Sequence, residues 1–133
     1  MSDVEFHHVG LACRDLAAEQ RALEIMGYRA ESPVYEDPDL GIRCQFLAIS
    51  AAAPRIELVA PLAGSAVLDP WLEKGVKLYH LAFLTADLAG ELARLQAQRG
   101  KIIVPPTPAV AFGGKRVSFV MLPNMLLSEF IER

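Results

Sequence analysis

A chain of 133 residues can build one domain with a substantial core and has no room for a second. Hydrophobic residues make up 53% and charged residues 22%, which excludes the disordered and fibrous classes. The formal net charge of -3, with no Lys/Arg cluster, argues against nucleic acid as a partner, and no apolar run approaches the roughly 20 residues of a membrane span. The acidic start Met1-Ser2-Asp3-Val4-Glu5 does not have the form of a signal peptide, and Cys13 and Cys44 show no CxxC or framework spacing. A cytoplasmic protein with two reduced core thiols is the expectation.

In chain order, an apolar strand is predicted over about 5–13, followed by Asp15 in an N-cap position and a helix of roughly a dozen residues. Leu16, Leu23 and Met26 mark its apolar side, and Gly27 is placed to end it as a left-handed C-cap. Strands follow at about 29–35, 42–49 and 54–60, and a connector covers about 61–76. A second apolar strand (77–85) then leads to Asp87 as N-cap and to a helix whose Leu88, Leu92 and Leu95 form a stripe at i, i+4, i+7. Gly100 is placed to close that helix as Gly27 closes the first. Strands at about 101–104, 115–121 and 126–132 complete the chain, with Pro105, Pro106 and Pro108 expected to break it after the first of these.

The two series are one series twice. Phe6-His7-His8-Val9-Gly10-Leu11-Ala12 resembles Leu78-Tyr79-His80-Leu81-Ala82-Phe83-Leu84, and His8 lies 72 positions before His80. The same spacing aligns Asp15-Leu16-Ala17 with Asp87-Leu88-Ala89, and Arg55-Ile56-Glu57-Leu58 with Leu127-Ser128-Glu129-Phe130. The prediction is one domain over 1–133: repeat 1 about 5–60, connector about 61–76, repeat 2 about 77–132. Each repeat is β-α-β-β-β, which gives an α+β fold.

Strand alternation sets Val9, Leu11 and Cys13 on one face of the first strand, toward the helix. His8 falls on the other with Phe6 and the small residues Gly10 and Ala12, which leave space beside the imidazole. Glu57 shares its face with Val59, and Glu129 with Leu127 and Ile131. A carboxylate buried among aliphatic side chains costs several kcal/mol unless it is compensated or protonated. A pseudo-twofold between repeats would turn His8, Glu57, His80 and Glu129 toward one point. Two imidazoles and two carboxylates suit a divalent Co, Mn, Zn, Ni or Fe ion. His7, on the opposite face, is expected to serve packing or the surface.

His-His-Val-Gly-Leu-Ala (7–12), Ile-Glu-Leu-Val-Ala-Pro-Leu (56–62), Tyr-His-Leu-Ala-Phe (79–83) and Leu-Leu-Ser-Glu-Phe-Ile-Glu (126–132) resemble the vicinal oxygen chelate superfamily of glyoxalase I, bleomycin and fosfomycin resistance proteins, methylmalonyl-CoA epimerase and extradiol dioxygenases. The resemblance covers nearly the whole chain and implies tandem βαβββ modules forming a curved sheet around a metal site. Within the superfamily, Gly114-Lys115-Arg116-Val117-Ser118-Phe119 and the connector Trp71-Leu72-Glu73-Lys74-Gly75, similar to a linker helix, look most like methylmalonyl-CoA epimerase.

That likeness implies a metal-dependent isomerase that abstracts a proton alpha to a carbonyl through a metal-stabilised enolate. It makes Glu129 both ligand and catalytic base, with Asp39 as partner acid/base, although Tyr35-Glu36-Asp37-Pro38-Asp39-Leu40-Gly41 also reads as a plain acidic turn. The substrate it implies is a small molecule, an acyl-CoA or another thioester, and the assembly a homodimer.

Three departures separate the chain from those epimerases. Glu57 stands where they commonly carry Gln, which makes the donor set more like that of bacterial glyoxalase I. The shorter Asp39 stands at their Glu, and Phe119-Val120-Met121-Leu122-Pro123 replaces their Phe-Leu-His-Pro. The alternatives are therefore a glyoxalase I-type lactoylglutathione lyase and a non-catalytic drug-binding resistance protein. Extradiol dioxygenase chemistry ranks lower, because four protein ligands leave little room for O₂.

Overall fold

In a computed structural model that describes residues 3–133, the chain groups into two compact units. One consists of His8–Tyr79; the other joins the residues up to His7 with His80–Arg133. The fold is α+β, with mixed parallel and antiparallel strand pairing in each unit. Among the described residues, no helix is long and apolar enough to cross a membrane.

In the His8–Tyr79 unit, β1 (Val4–Ala12, entering this unit at His8) runs parallel to β5 (Ile56–Pro61). β5 pairs antiparallel with β4 (Ile42–Ala48), and β4 in turn takes β2 (Arg29–Ala30) and β3 (Tyr35–Asp37) along its other edge. The strand predicted over 29–35 is thus two short ones. Ser32 divides them, because its hydroxyl accepts the Phe46 N–H at 2.9 Å, a donor that a continuous ladder would use. Pro33 follows with no N–H to offer.

Helix α1 (Leu16–Glu24) starts where Asp15 accepts a hydrogen bond from the Ala18 N–H at 3.2 Å. Its apolar side meets Leu47, Ile56 and Leu58 of the sheet through Leu16 and Leu23, with Cys13 and Tyr28 in the same cluster. Met26 departs from expectation: it lies beyond the last helical turn, in the turn leading to Gly27, and is 61% exposed. Gly27 does adopt φ +103°, as a glycine closing a helix would.

The other unit repeats the plan. β6 (Leu78–Thr85) is parallel to β9 (Leu127–Glu132), β9 antiparallel to β8 (Arg116–Met121), and β8 antiparallel to β7 (Lys101–Pro108). Helix α3 (Leu88–Ala97), capped by Asp87 accepting from the Gly90 N–H at 3.0 Å, packs Leu88, Leu92 and Leu95 onto Val120 and Phe130. Two expectations need correction here. The prolines do not end the first strand after the helix: β7 runs through Pro105, Pro106 and Pro108, pairing with β8 across two register shifts, between Ile102 and Val104 and between Val104 and Thr107. Bulged pairing tolerates residues that lack an N–H.

The second correction concerns Gly100, which is not the left-handed cap. That conformation belongs to Arg99, at φ 69°. Glycine is needed at 100 for space, because a Cβ there would stand 2.9 Å from the Leu95 carbonyl oxygen and 3.0 Å from Val120 Cγ1. The connector carries α2 (Asp69–Lys74), the short helix that the sequence resemblance implied, closed by Gly75 at φ 68°.

Two predictions follow from these contacts. Gly100→Ala should lower stability by about 1–3 kcal/mol in urea unfolding. Gly100→Asn should cost at least as much; a harmless Asn would restore the left-handed reading, since Asn tolerates that backbone. The second concerns the thiols. Burial first, and then the Glu19 carboxylate, raise the Cys13 thiol to about 11, and Cys44 is 1% exposed. Neither should react with a disulfide thiol probe at pH 8 until denaturant is added, when two thiols should titrate; rapid reaction of native protein would contradict the packing.

Candidate metal centre

Each unit holds one imidazole beside one carboxylate. In the His8–Tyr79 unit, β1 carries His8 and its parallel neighbour β5 carries Glu57, with His8 Nε2 3.3 Å from Glu57 Oε1. In the other unit, β6 carries His80 and β9 carries Glu129, with His80 Nε2 3.1 Å from Glu129 Oε1. All four side chains are buried: His8 0%, Glu57 5%, His80 1% and Glu129 3% exposed.

The strand register explains how a long carboxylate reaches a histidine on the adjacent strand. Glu57 stands directly across from Gly10, and Glu129 directly across from Ala82. In each case the small residue is two places beyond the histidine and therefore on its face. With no bulk opposite it, the glutamate can lean back along the strand toward the imidazole. Larger residues take the other face, where Leu58 and Phe130, each one place beyond its glutamate, anchor the strands under α1 and α3.

A second match appears in the antiparallel neighbours. Phe46 of β4 pairs across from Glu57, and Phe119 of β8 pairs across from Glu129. Phe46 meets His8 edge-on at a centroid distance of 5.3 Å, and Phe119 meets His80 edge-on at the same distance. The 72-residue spacing does not link these two rings, which are 73 positions apart. Only register brings them into correspondence.

The donor atoms fit a divalent ion. Ligands bound at about 2.1 Å lie roughly 3.0 Å apart at a right angle and roughly 3.4 Å apart at the tetrahedral angle, and the two observed separations fall in that interval. Imidazole nitrogen with carboxylate oxygen is also the donor chemistry of the borderline divalent metals. Two carboxylates buried on strand faces carry a desolvation cost of several kcal/mol each, which a cation or a proton offsets.

The remaining candidates lie elsewhere. Asp39 is exposed on the turn between β3 and β4, whereas Asp37, which the sequence reading did not single out, is 2% exposed and holds that turn by accepting the Leu40 N–H at 3.1 Å. The signal for Asp37 was its place immediately before a Pro38-Asp39-Leu40-Gly41 run, where an aspartate bonds the backbone ahead of it. His7 is partly buried and meets Phe112 edge-on at 5.4 Å, as a packing residue. At the start of β8, Arg116 is held by Glu132 at 2.6 Å, which keeps the Glu132 carboxyl below its usual range; Lys115, just before the strand, is exposed.

The family model of the glyoxalase/bleomycin resistance protein/dioxygenase superfamily matches residues 7–119, and the chain belongs to that superfamily. Among solved structures it is similar to methylmalonyl-CoA epimerase from Mycobacterium tuberculosis (26% identity, 96% of this chain and 86% of that one, TM-score 0.77). It is also similar to a variant of Streptomyces coelicolor methylmalonyl-CoA epimerase in complex with 2-nitronate-propionyl-CoA (23%, 96% and 95%, TM-score 0.76). A hypothetical protein from Bacillus halodurans aligns at 20% identity over 99% of this chain and 96% of its own, with a TM-score of 0.80. Among curated proteins none matches the sequence.

Ala82→Val, which fills the space across from Glu129, should weaken Mn²⁺ or Co²⁺ binding by about tenfold or more in calorimetric titration, whereas Ala82→Gly should leave it within about threefold. Equal binding by both variants would remove the role given to the small residue.

Proposed function

We propose that the protein is a metal-dependent epimerase or isomerase that removes a proton alpha to the carbonyl of a small thioester. The observation that carries this reading is the matched pair of buried His–Glu donors at repeat-equivalent positions. In this reading His8, Glu57, His80 and Glu129 are the ligands of one metal ion, and likeness to two methylmalonyl-CoA epimerases supports an acyl-CoA as the substrate class.

An α-proton beside a thioester is very weakly acidic, so the main demand is stabilisation of negative charge at the carbonyl oxygen. A bound divalent ion would supply that stabilisation as a Lewis acid. The chain's residues then divide the remaining work. Glu129 accepts the α-proton from one face of the substrate, and Asp39 is the proposed partner that returns a proton on the other.

Metal-loaded protein in D₂O should introduce deuterium at the α-carbon of methylmalonyl-CoA, followed by mass spectrometry. Glu129→Gln should abolish exchange. Asp39→Asn should slow inversion of configuration while sparing exchange, and unaltered inversion would reduce the 37–41 turn to a structural element. Absence of exchange by the loaded wild type would sink the epimerase assignment.

One observation favours a second reading. Glu57, a carboxylate at a position where the epimerases commonly have Gln, gives the donor composition of a glyoxalase I-type lyase. Turnover of the glutathione–methylglyoxal hemithioacetal, without exchange on acyl-CoA, would select it.

A further inference from the structure

We infer that Phe46 and Phe119 are matched positioning residues, each fixing the plane of one imidazole so that its Nε2 stays directed at the neighbouring glutamate. The inference rests on the metal-centre reading above and extends it to residues that are not themselves donors.

Three observations coincide in each unit. Phe46 is the antiparallel partner of Glu57 and Phe119 that of Glu129, so each ring stands on the same sheet face as the carboxylate opposite it. Each ring meets its unit's imidazole edge-on, at 5.3 Å and 69° for Phe46–His8 and at 5.3 Å and 87° for Phe119–His80. Both rings are buried, at 6% and 7% exposure. The imidazole is thereby bounded by an aromatic ring while its Nε2 faces the glutamate, at 3.3 Å in one unit and 3.1 Å in the other.

The physical consequence concerns the rotation of the histidine ring. Its second side-chain torsion is a broad well, so sequence and backbone leave the tilt of the ring plane loosely set. A T-shaped aromatic neighbour fills the volume into which the imidazole would tilt and adds a directional edge-to-face contact. Metal sites depend on such support, because a ligand held loosely must lose its freedom on binding. Recurrence of one geometry in two units whose phenylalanines are out of step with the sequence repeat sets this contact apart from incidental core packing.

Leucine keeps most of the volume and removes the ring; tyrosine keeps the ring. The experiment titrates Co²⁺ into metal-free wild type, Phe46→Leu, Phe119→Leu, Phe46→Tyr and Phe119→Tyr. It reads the dissociation constant together with the visible absorption bands of bound Co²⁺, and urea unfolding of the metal-free forms runs alongside. Each Leu variant should bind Co²⁺ about tenfold more weakly or worse, with shifted bands. Each Tyr variant should stay within about threefold with the wild-type spectrum. Should a Leu variant fail to unfold cooperatively, the Met variant at the same position replaces it.

Leu variants with wild-type affinity and bands would overturn the positioning role and leave the metal centre standing. Loss of affinity in the Tyr variants equal to that in the Leu variants would overturn it as well. Wild-type protein that takes up no Co²⁺ would overturn both this inference and the reading beneath it.

Discussion

The constraint on which the account depends is the placement of a carboxylate beside an imidazole on a buried strand face. Glu57 and Glu129 are 5% and 3% exposed, so bulk solvent does little to offset the cost of their charge. Such a position persists in a folded protein only if the charge is compensated or the carboxyl takes up a proton. The local architecture is arranged around that need: parallel pairing brings His and Glu strands side by side, a small residue clears the path between them, and a phenylalanine bounds the imidazole. The helices act at one remove, holding the opposite faces of the same strands in place through Leu16 and Leu23 or Leu88, Leu92 and Leu95.

Much of this was legible in the sequence because duplication writes each requirement twice. A lone histidine in a strand carries little information, but His8 and His80 at the spacing of Glu57 and Glu129 carry a good deal. Gly10 and Ala82 were visible as small residues, and the register shows what their smallness does, since each stands across from the glutamate. The α+β class and most strand positions followed from alternation and from the two aspartate caps.

What escaped the sequence depended on pairing or on side-chain conformation rather than on residue type. Ser32 splits a strand because its hydroxyl takes the Phe46 N–H, a contact between residues 14 apart. Pro105, Pro106 and Pro108 look like strand breakers, yet β7 absorbs them with shifts in register. Gly100 looked like a conformational glycine and proves to be a steric one, set against Leu95 and Val120. Phe46 and Phe119 lay hidden because the second repeat gains one residue before the aromatic position and loses one after it, so a fixed offset steps past them.

The substrate is a different kind of question, decided by chemistry beyond the two donor pairs. Under the proposed reading, an acyl-CoA and a hemithioacetal alike would be handled by four donors acting on one ion. Calorimetric titration of Co²⁺ into the metal-free protein, repeated with His8→Ala and with His80→Ala, tests that requirement most directly. The account predicts one ion per chain in the wild type, with binding lost or weakened by orders of magnitude in either variant. Two ions per chain in the wild type, or either variant binding one ion as the wild type does, would contradict it.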